Sequence, residues 1–147
     1  MESLTAPIIA HLSQGTAKYP TLWRQVEGLL QLSELGTASK GPKKKPALYV
    51  VELSETALAD VRGTNAPALQ TVRCQIGVLI VADSKNGQHK DLTPLRARVR
   101  ELLFGFTPTA DAEPLTLVSG SLRQIKGSYV AWLDTFATEY TEDANSY

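Results

Sequence analysis

The sequence predicts an α+β domain: a mostly antiparallel, mixed sheet of about four to five strands with helices packed on one face. Three observations carry this expectation. From Thr71 to Ala82, Val72, Cys74, Ile76, Val78 and Ile80 alternate with Thr71, Arg73, Gln75 and Gly77, the period of a strand buried on one side. Asp91–Pro108 instead carries Leu92, Leu95, Val99, Leu102 and Leu103 at helical spacing, within an arc of roughly 100°. Leu115–Ile125 and Ser128–Tyr140 then read as two strands joined around Lys126-Gly127, which pair antiparallel as a hairpin.

Taken in order, residues 3–14 form a helix, with Ser3 as cap, Pro7 near the first turn, Ile8, Ile9 and Leu12 facing inward, and Gly15 ending it. Leu22, Trp23, Val26, Leu29 and Leu30 have helix-like spacing. Leu22–Val26 equally suits a short extended piece that leads into a helix over Glu27–Leu35. Residues 37–46 are a loop with Lys43, Lys44 and Lys45 between Pro42 and Pro46. Ala47–Leu53 is a strand apolar on both faces, hence central in the sheet.

Residues 54–70 lack a sustained period and contain Gly63, Asn65 and Pro67, so they read as a long arm. The strand that follows is longer than a small core needs, and one of its ends is expected to project. Asp83–Lys90 is a polar turn centred on Asn86-Gly87. Asp91 is read as the N-cap of the amphipathic helix; Pro94 sits harmlessly in its first turn, and Gly105 with Pro108 stops it. In the last strand Val130, Trp132, Phe136 and Tyr140 share a face interrupted by Asp134, and residues 141–147 read as a frayed tail.

The 147 residues suit one domain spanning 1–147, with 43% hydrophobic and 20% charged side chains placing it in the globular class. A lone cysteine excludes an internal disulfide and a multi-cysteine metal site. No apolar run reaches membrane-spanning length and no signal peptide is read, so the expectation is a soluble chain, cytoplasmic when made, with no membrane partner. Net charge is zero but uneven: +3 over residues 1–46, +1 over 47–110 and −4 over 111–147. A basic front and an acidic tail argue against a general nucleic-acid binder and suit head-to-tail contact between identical subunits.

Chemistry is hard to find. Three adjacent lysines invite a phosphate-binding reading, but no aromatic is interleaved and no glycine pattern builds a cradle, so a solvated loop is the better reading. If Lys43, Lys44 and Lys45 have a partner, an acidic protein is as good a candidate as DNA. His89 with Asp83 or Asp91 superficially resembles hydrolytic or metal-binding parts, yet proximity in sequence does not make a triad. His11 and Cys74 read as structural. No catalytic residue, metal ligand or cofactor is expected.

The order of parts nonetheless resembles the tail terminator proteins of long-tailed bacteriophages and related minor tail proteins of prophages. The residues that carry the likeness are Leu92, Leu95, Val99 and Leu102 on the helix, Gly105-Phe106 with Pro108, and Pro114-Leu115 with Gly120. Trp132 and Phe136 on the final strand and the upstream Gly77–Val81 continue it. Family members often have tryptophan where this chain has Phe106, which preserves an aromatic plug. The likeness spans about residues 47–140, and the basic loop has no counterpart in it.

The resemblance implies a non-enzymatic structural protein of the virion. It implies a ring of identical subunits, usually a hexamer, that sits on the tail-tube protein, stops tube growth and joins the head–tail connector protein, without sequence-specific nucleic-acid contact. Leu92, Leu95, Val99, Leu102, Phe106, Trp132 and Phe136 would be its packing residues. The arm, through Arg62, Gly63, Asn65 and Pro67, together with Arg73 and Lys43–Lys45, is the expected contact surface. The competing readings are another neck or tail-completion adaptor, a DNA-contacting module using the lysines, and, last, a small enzyme at His89.

Overall fold

Strand β3, Leu69–Lys85, is the axis on which the other strands are laid. Its seventeen residues reach beyond the 71–82 expected from alternation, and at about 3.3 Å each they run roughly 55 Å. The computed structural model describes residues 2–29, 44–85, 88–89, 91–126 and 129–147. Around β3 lie β1 (Gln25–Leu29), β2 (Ala47–Ala57), β5 (Thr116–Lys126) and β6 (Tyr129–Asp143), in the order β1-β2-β3-β6-β5. Only β1 runs parallel to its neighbour, β2; the other pairs along this path are antiparallel. A two-residue strand β4, Gln88–His89, folds back on the end of β3 across the polar turn. This is the α+β class with a mixed sheet.

Among the described residues two α-helices pack on one face of the sheet. Helix α1, Thr5–Gln14, contributes Ile8 and Leu12, and α2, Thr93–Leu103, contributes Val99, Leu102 and Leu103. They meet Leu48 and Val50 of β2, Ile76, Val78 and Ile80 of β3, and Phe136 of β6 in one core cluster. These strand positions share a face because the register aligns Val50 with Val78, Ile80 with Trp132 and Ile76 with Phe136. Each aliphatic side chain so buried stabilises by about 1.5–3 kcal/mol before entropy is counted.

Near the β4 end the opposite face is apolar too, with Ala47, Tyr49, Leu79, Val81, Ala131 and Leu133 buried together. Hence Ala47–Val51 of β2 and Val78–Ala82 of β3 are apolar at every position. Further along, that same face turns polar, and Arg73 stands directly across from Glu139, Nε to Oε1 at 2.7 Å.

The helix ends differ in detail from the sequence expectation. In α2 the cap position is Leu92, without a side-chain bond, and Asp91 stands one residue earlier, its Oδ1 accepting from the Thr93 N–H at 2.9 Å. Gly105 does take a left-handed turn, φ +83°, past the last helical residues. In α1 the cap is Leu4, and the Ser3 hydroxyl accepts from the Ala6 N–H.

Larger differences lie elsewhere. The helix considered over residues 22–35 is replaced at Gln25–Leu29 by strand β1; residues 30–43, with most of the basic loop, lie outside the described residues. Pairing with β2 overrides the helix-like spacing of Trp23, Val26 and Leu29, because Gln25–Leu29 match Ala47–Val51 residue for residue. Strand β2 continues four residues past Leu53 through a bulge between Glu52 and Ser54, so Ser54–Ala57 are strand rather than arm. At the C-terminus β6 runs on to Asp143 and a 3-10 turn, Ala144–Ser146, where a frayed tail was expected.

Candidate assembly surfaces

The first surface is the end of the β2–β3 hairpin, residues 58–68. It has internal bonds of its own. The Asp60 carboxylate accepts from the backbone N–H of Leu69 at 2.8 Å and of Arg62 at 3.2 Å, as an aspartate in a turn can. Those bonds, Leu69 first, hold its pKa below the ordinary carboxylate value. Arg62 grips Asp143 with both nitrogens, Nη1 to Oδ1 at 2.6 Å and Nη2 to Oδ2 at 3.1 Å, and Nη1 also reaches the Pro67 carbonyl at 3.3 Å. The Ala144 N–H donates to Ala68 O at 2.9 Å.

These bonds explain why neither the arm nor the tail frays: each is the other's partner. With both charges engaged inward, the arm presents Leu58, 39% exposed, and Val61, 73% exposed. Gly63, Asn65 and Pro67 are exposed at its tip.

The second surface is built on α2 and the β5–β6 pair. Asp134, fully buried, accepts from Arg100 of α2 at both oxygens and from Trp132 Nε1 at 2.8 Å. Arg96, one helical turn before Arg100, stacks on the Trp132 ring with its guanidinium carbon 3.7 Å from the centroid. Across from Asp134 on β5 stands Gly120, and a Cβ there would lie 2.6 Å from Asp134 Oδ1. Glycine at 120 is therefore what leaves room for the carboxylate. Asp134, which looked like an interruption of an apolar face, forms with Arg100 the tie between helix and sheet.

Phe106 plugs the gap between the helices. Its ring stacks on His11 at 4.1 Å, 4° from parallel, while His11 Nε2 donates to the Leu102 carbonyl at 3.0 Å. Its loop closes on itself, Gly105 N–H to Leu115 O and Leu115 N–H to Phe106 O.

The profile of the family described as Phage tail terminator protein matches residues 5–146, nearly the whole chain. The chain belongs to that family. Comparison with curated proteins gives no match. Phage tail terminators are structural proteins of tail completion, and the family places this chain in the virion.

In this terminator chain the packing residues of the sequence reading come together: Leu92, Val99, Leu102 and Phe136 are buried, while Leu95, Phe106 and Trp132 are part-buried against the core. The contact residues do not form one patch. Arg62, Gly63, Asn65 and Pro67 share the arm, and Arg73 pairs with Glu139 on the sheet face. Lys45 lies at the β4 end of the sheet, Nζ 3.4 Å from Asp83 and over the Tyr129 ring; Lys44 beside it is exposed, and Lys43 is outside the described residues. The side chain of His89 also lies outside them. Cys74 is buried and 3.8 Å from Glu55 Oε1; burial first, then Glu55 and Glu52, push its thiol up to about 11, away from nucleophilic use. Among the described residues no cluster of three His, Cys, Asp or Glu side chains could hold a metal ion, and no helix is long and apolar enough to cross a membrane.

Sequence reasoning missed β5 as a surface. Leu117, Val118 and Leu122 are 37%, 48% and 51% exposed, whereas the strand was read only as one half of a hairpin. The signal was present in Ser119-Gly-Ser121, which breaks its apolar run.

Proposed function

We propose that the chain forms a closed ring of identical subunits, a hexamer, on the last ring of the tail-tube protein. There it stops tube growth and offers its other face to the head–tail connector protein, after synthesis and assembly in the host cytoplasm. The observation that carries this reading is the terminator family match over residues 5–146. A pre-formed arm with its charges turned inward and Val61 turned outward supports it, because a ring needs a projecting patch that meets a different patch on the next subunit. A rigid arm also avoids the ordering cost of a flexible one. Within this scheme Gly63, Asn65 and Pro67 make the subunit contact and Arg62 is the strut behind them. Arg73 and the lysines at 43–45 serve contacts with neighbouring acidic groups. No catalytic step, metal, cofactor or sequence-specific DNA contact belongs to the scheme.

Native mass measurement and negative-stain imaging of the purified chain, alone and with tail-tube tips, test it. Six-subunit rings seated on tips, together with tails of uniform length in an assembly extract, are expected. A chain that stays monomeric with tips present would sink the ring reading.

A further inference from the structure

Strand β5 is the outermost strand of the sheet. One of its edges is zipped to β6, and among the described residues no strand pairs with the other. Every residue from Thr116 to Arg123 is exposed. A bare edge of that length is a template for a second chain unless something blunts it. Two bulges, at Leu117/Ser119 and Leu122/Gln124, interrupt its register and leave Ser119–Leu122 as the longest regular run. The edge is thus closed to indiscriminate pairing and open to one short segment. Beside it a shallow groove of about 440 Å³ runs between β5 and the start of α2, its lining including Leu122, Trp132, Val130, Leu92, Arg96 and Asp91.

We propose that this edge and groove receive the 58–68 arm of a second copy of the chain. The proposal rests on the ring reading above and names the surface which that reading leaves unassigned. Two features point to the arm as occupant. Leu58 and Val61 on the arm match Leu117, Val118 and Leu122 on β5: five of the eight large apolar side chains that the described surface exposes fall in these two patches. Apolar groups gathered in this way mark contact sites, whereas scattered ones need no explanation. The charges also complement. Over Thr116–Arg123 the only charged side chain of β5 is Arg123, and the groove beside it holds Arg96 and Asp91, while Glu55, Asp60, Glu139, Glu142 and Asp143 lie around the arm end against Arg62 and Arg73.

A chain cannot make this contact with itself. Asp143 anchors the arm, and Leu122 lies opposite Trp132, eleven residues back along β6, so the two are about 36 Å apart. Arm and receiving edge therefore sit on different parts of one subunit, the arrangement that joins copies head to tail and closes a ring.

The test starts with Leu122→Asp and Val61→Asp in the full chain, both at exposed positions, with circular dichroism checking the fold. Each is expected to lower the fraction of ring seen by native mass by about tenfold or more, since either puts a charge into an apolar contact. A second arm does not depend on these variants folding. Val61→Cys with Leu122→Cys, on a Cys74→Ser background, is treated with a short bismaleimide on tube tips. Covalent multimers up to the full ring are expected from the double-cysteine chain, and neither single-cysteine chain should exceed a dimer. Rings that form normally in Leu122→Asp, or that assemble from the double-cysteine chain without cross-linking, overturn the β5 assignment and leave the ring reading standing. A wild-type chain that never forms rings overturns both.

Discussion

Arg100 and Asp134 meet as a two-point ion pair, Nη2 to Oδ1 at 2.9 Å and Nε to Oδ2 at 3.2 Å, and only Arg100 keeps contact with water. The asymmetry governs what the pair does. Asp134 gives up hydration entirely, so its three hydrogen bonds must replace it, whereas the guanidinium is about a third exposed and can be solvated alone. The pair costs desolvation to form and returns a fixed placement of α2 on β6.

Removing the arginine should therefore hurt more than removing the aspartate. Arg100→Ala leaves a buried carboxylate with only the Trp132 N–H, and a loss of about 3 kcal/mol is expected. Asp134→Ala frees an arginine that turns to solvent, and about half that loss is expected. Replacing both together, Arg100→Met with Asp134→Leu, should come closer to wild type than Arg100→Ala does. Urea midpoints of the three variants decide it, and equal losses in the two single variants would refute the unequal-access argument.

Gly120→Ala should destabilise by about 1–3 kcal/mol through overpacking, although residue 120 is exposed, because its Cβ would press on Asp134 Oδ1, Arg100 Nη2 and Trp132. In an Asp134→Ala background most of that loss should disappear. A double-mutant cycle with no coupling between the two positions would mean that the glycine is there for another reason.

Leu102→Ala should cost about 2–5 kcal/mol by transfer and cavity terms, since Leu102 is buried against both helices and the sheet. Leu95, only part-buried, should cost less, about 1–2 kcal/mol, a distinction that helical spacing alone does not make. Thermal melts rank the pair, and a Leu95 variant that melts below the Leu102 variant would contradict the burial described.

What could be read in the sequence was what local periodicity controls. Val72–Ile80 and Leu92–Leu103 each repeat at the period of one element, and the register and helix face follow from that. Long-range pairing decided the rest. Nothing near Gln25–Leu29 announces a parallel partner twenty-two residues later, and nothing in Glu55 says that it will stand beside Cys74 and Tyr140. The arm misled for a physical reason: besides bonds within it, Asp60 accepts from Leu69 and Arg62 donates to Asp143, so a pattern within residues 58–68 shows only part of what orders it. Asp134 looked like a flaw in an apolar face because its partner, Arg100, sits on the helix side of the core.

Alkaline pH should destabilise the fold in a defined window. Burial and nearby carboxylates push the Cys74 thiol up to about 11; burial, then Glu27, pushes Tyr49 up to about 12; burial, then Glu55, pushes Tyr140 to about 12. The unfolded chain gives up these protons near 8.5 to 10, so above that range the folded state binds more protons than the unfolded one. Stability is full below about pH 8.5 and declines as pH rises toward 11–12. Cys74→Ala should flatten the first part of that decline while lowering the neutral-pH baseline through lost packing. Urea midpoints from pH 8 to 11 measure it, and parallel curves for wild type and Cys74→Ala would remove the thiol from the account.

The arm should loosen at acid pH while the core stays folded. Its strut depends on an ionised Asp143, whose pKa is lowered by the Arg62 bond first and by the Asn145 N–H next. A lowered folded value means that the contribution is present above the unfolded carboxylate value near 4 and is lost as pH falls through the folded one. Amide exchange at Leu58, Val61 and Leu69, whose N–H groups bond within the hairpin end, should accelerate below about pH 4 ahead of β3 amides such as Val78. Arg62→Ala should reproduce the loosening at neutral pH with little change in the melting temperature, because the half-buried pair lies outside the core and helps order the arm more than it stabilises the domain. On the ring reading the same variant should weaken assembly, since its arm must be ordered again at each contact. Exchange at Val61 that is equally slow in wild type and Arg62→Ala would show that the hairpin end holds itself without the strut, and would place the arm's rigidity in the Asp60 turn instead.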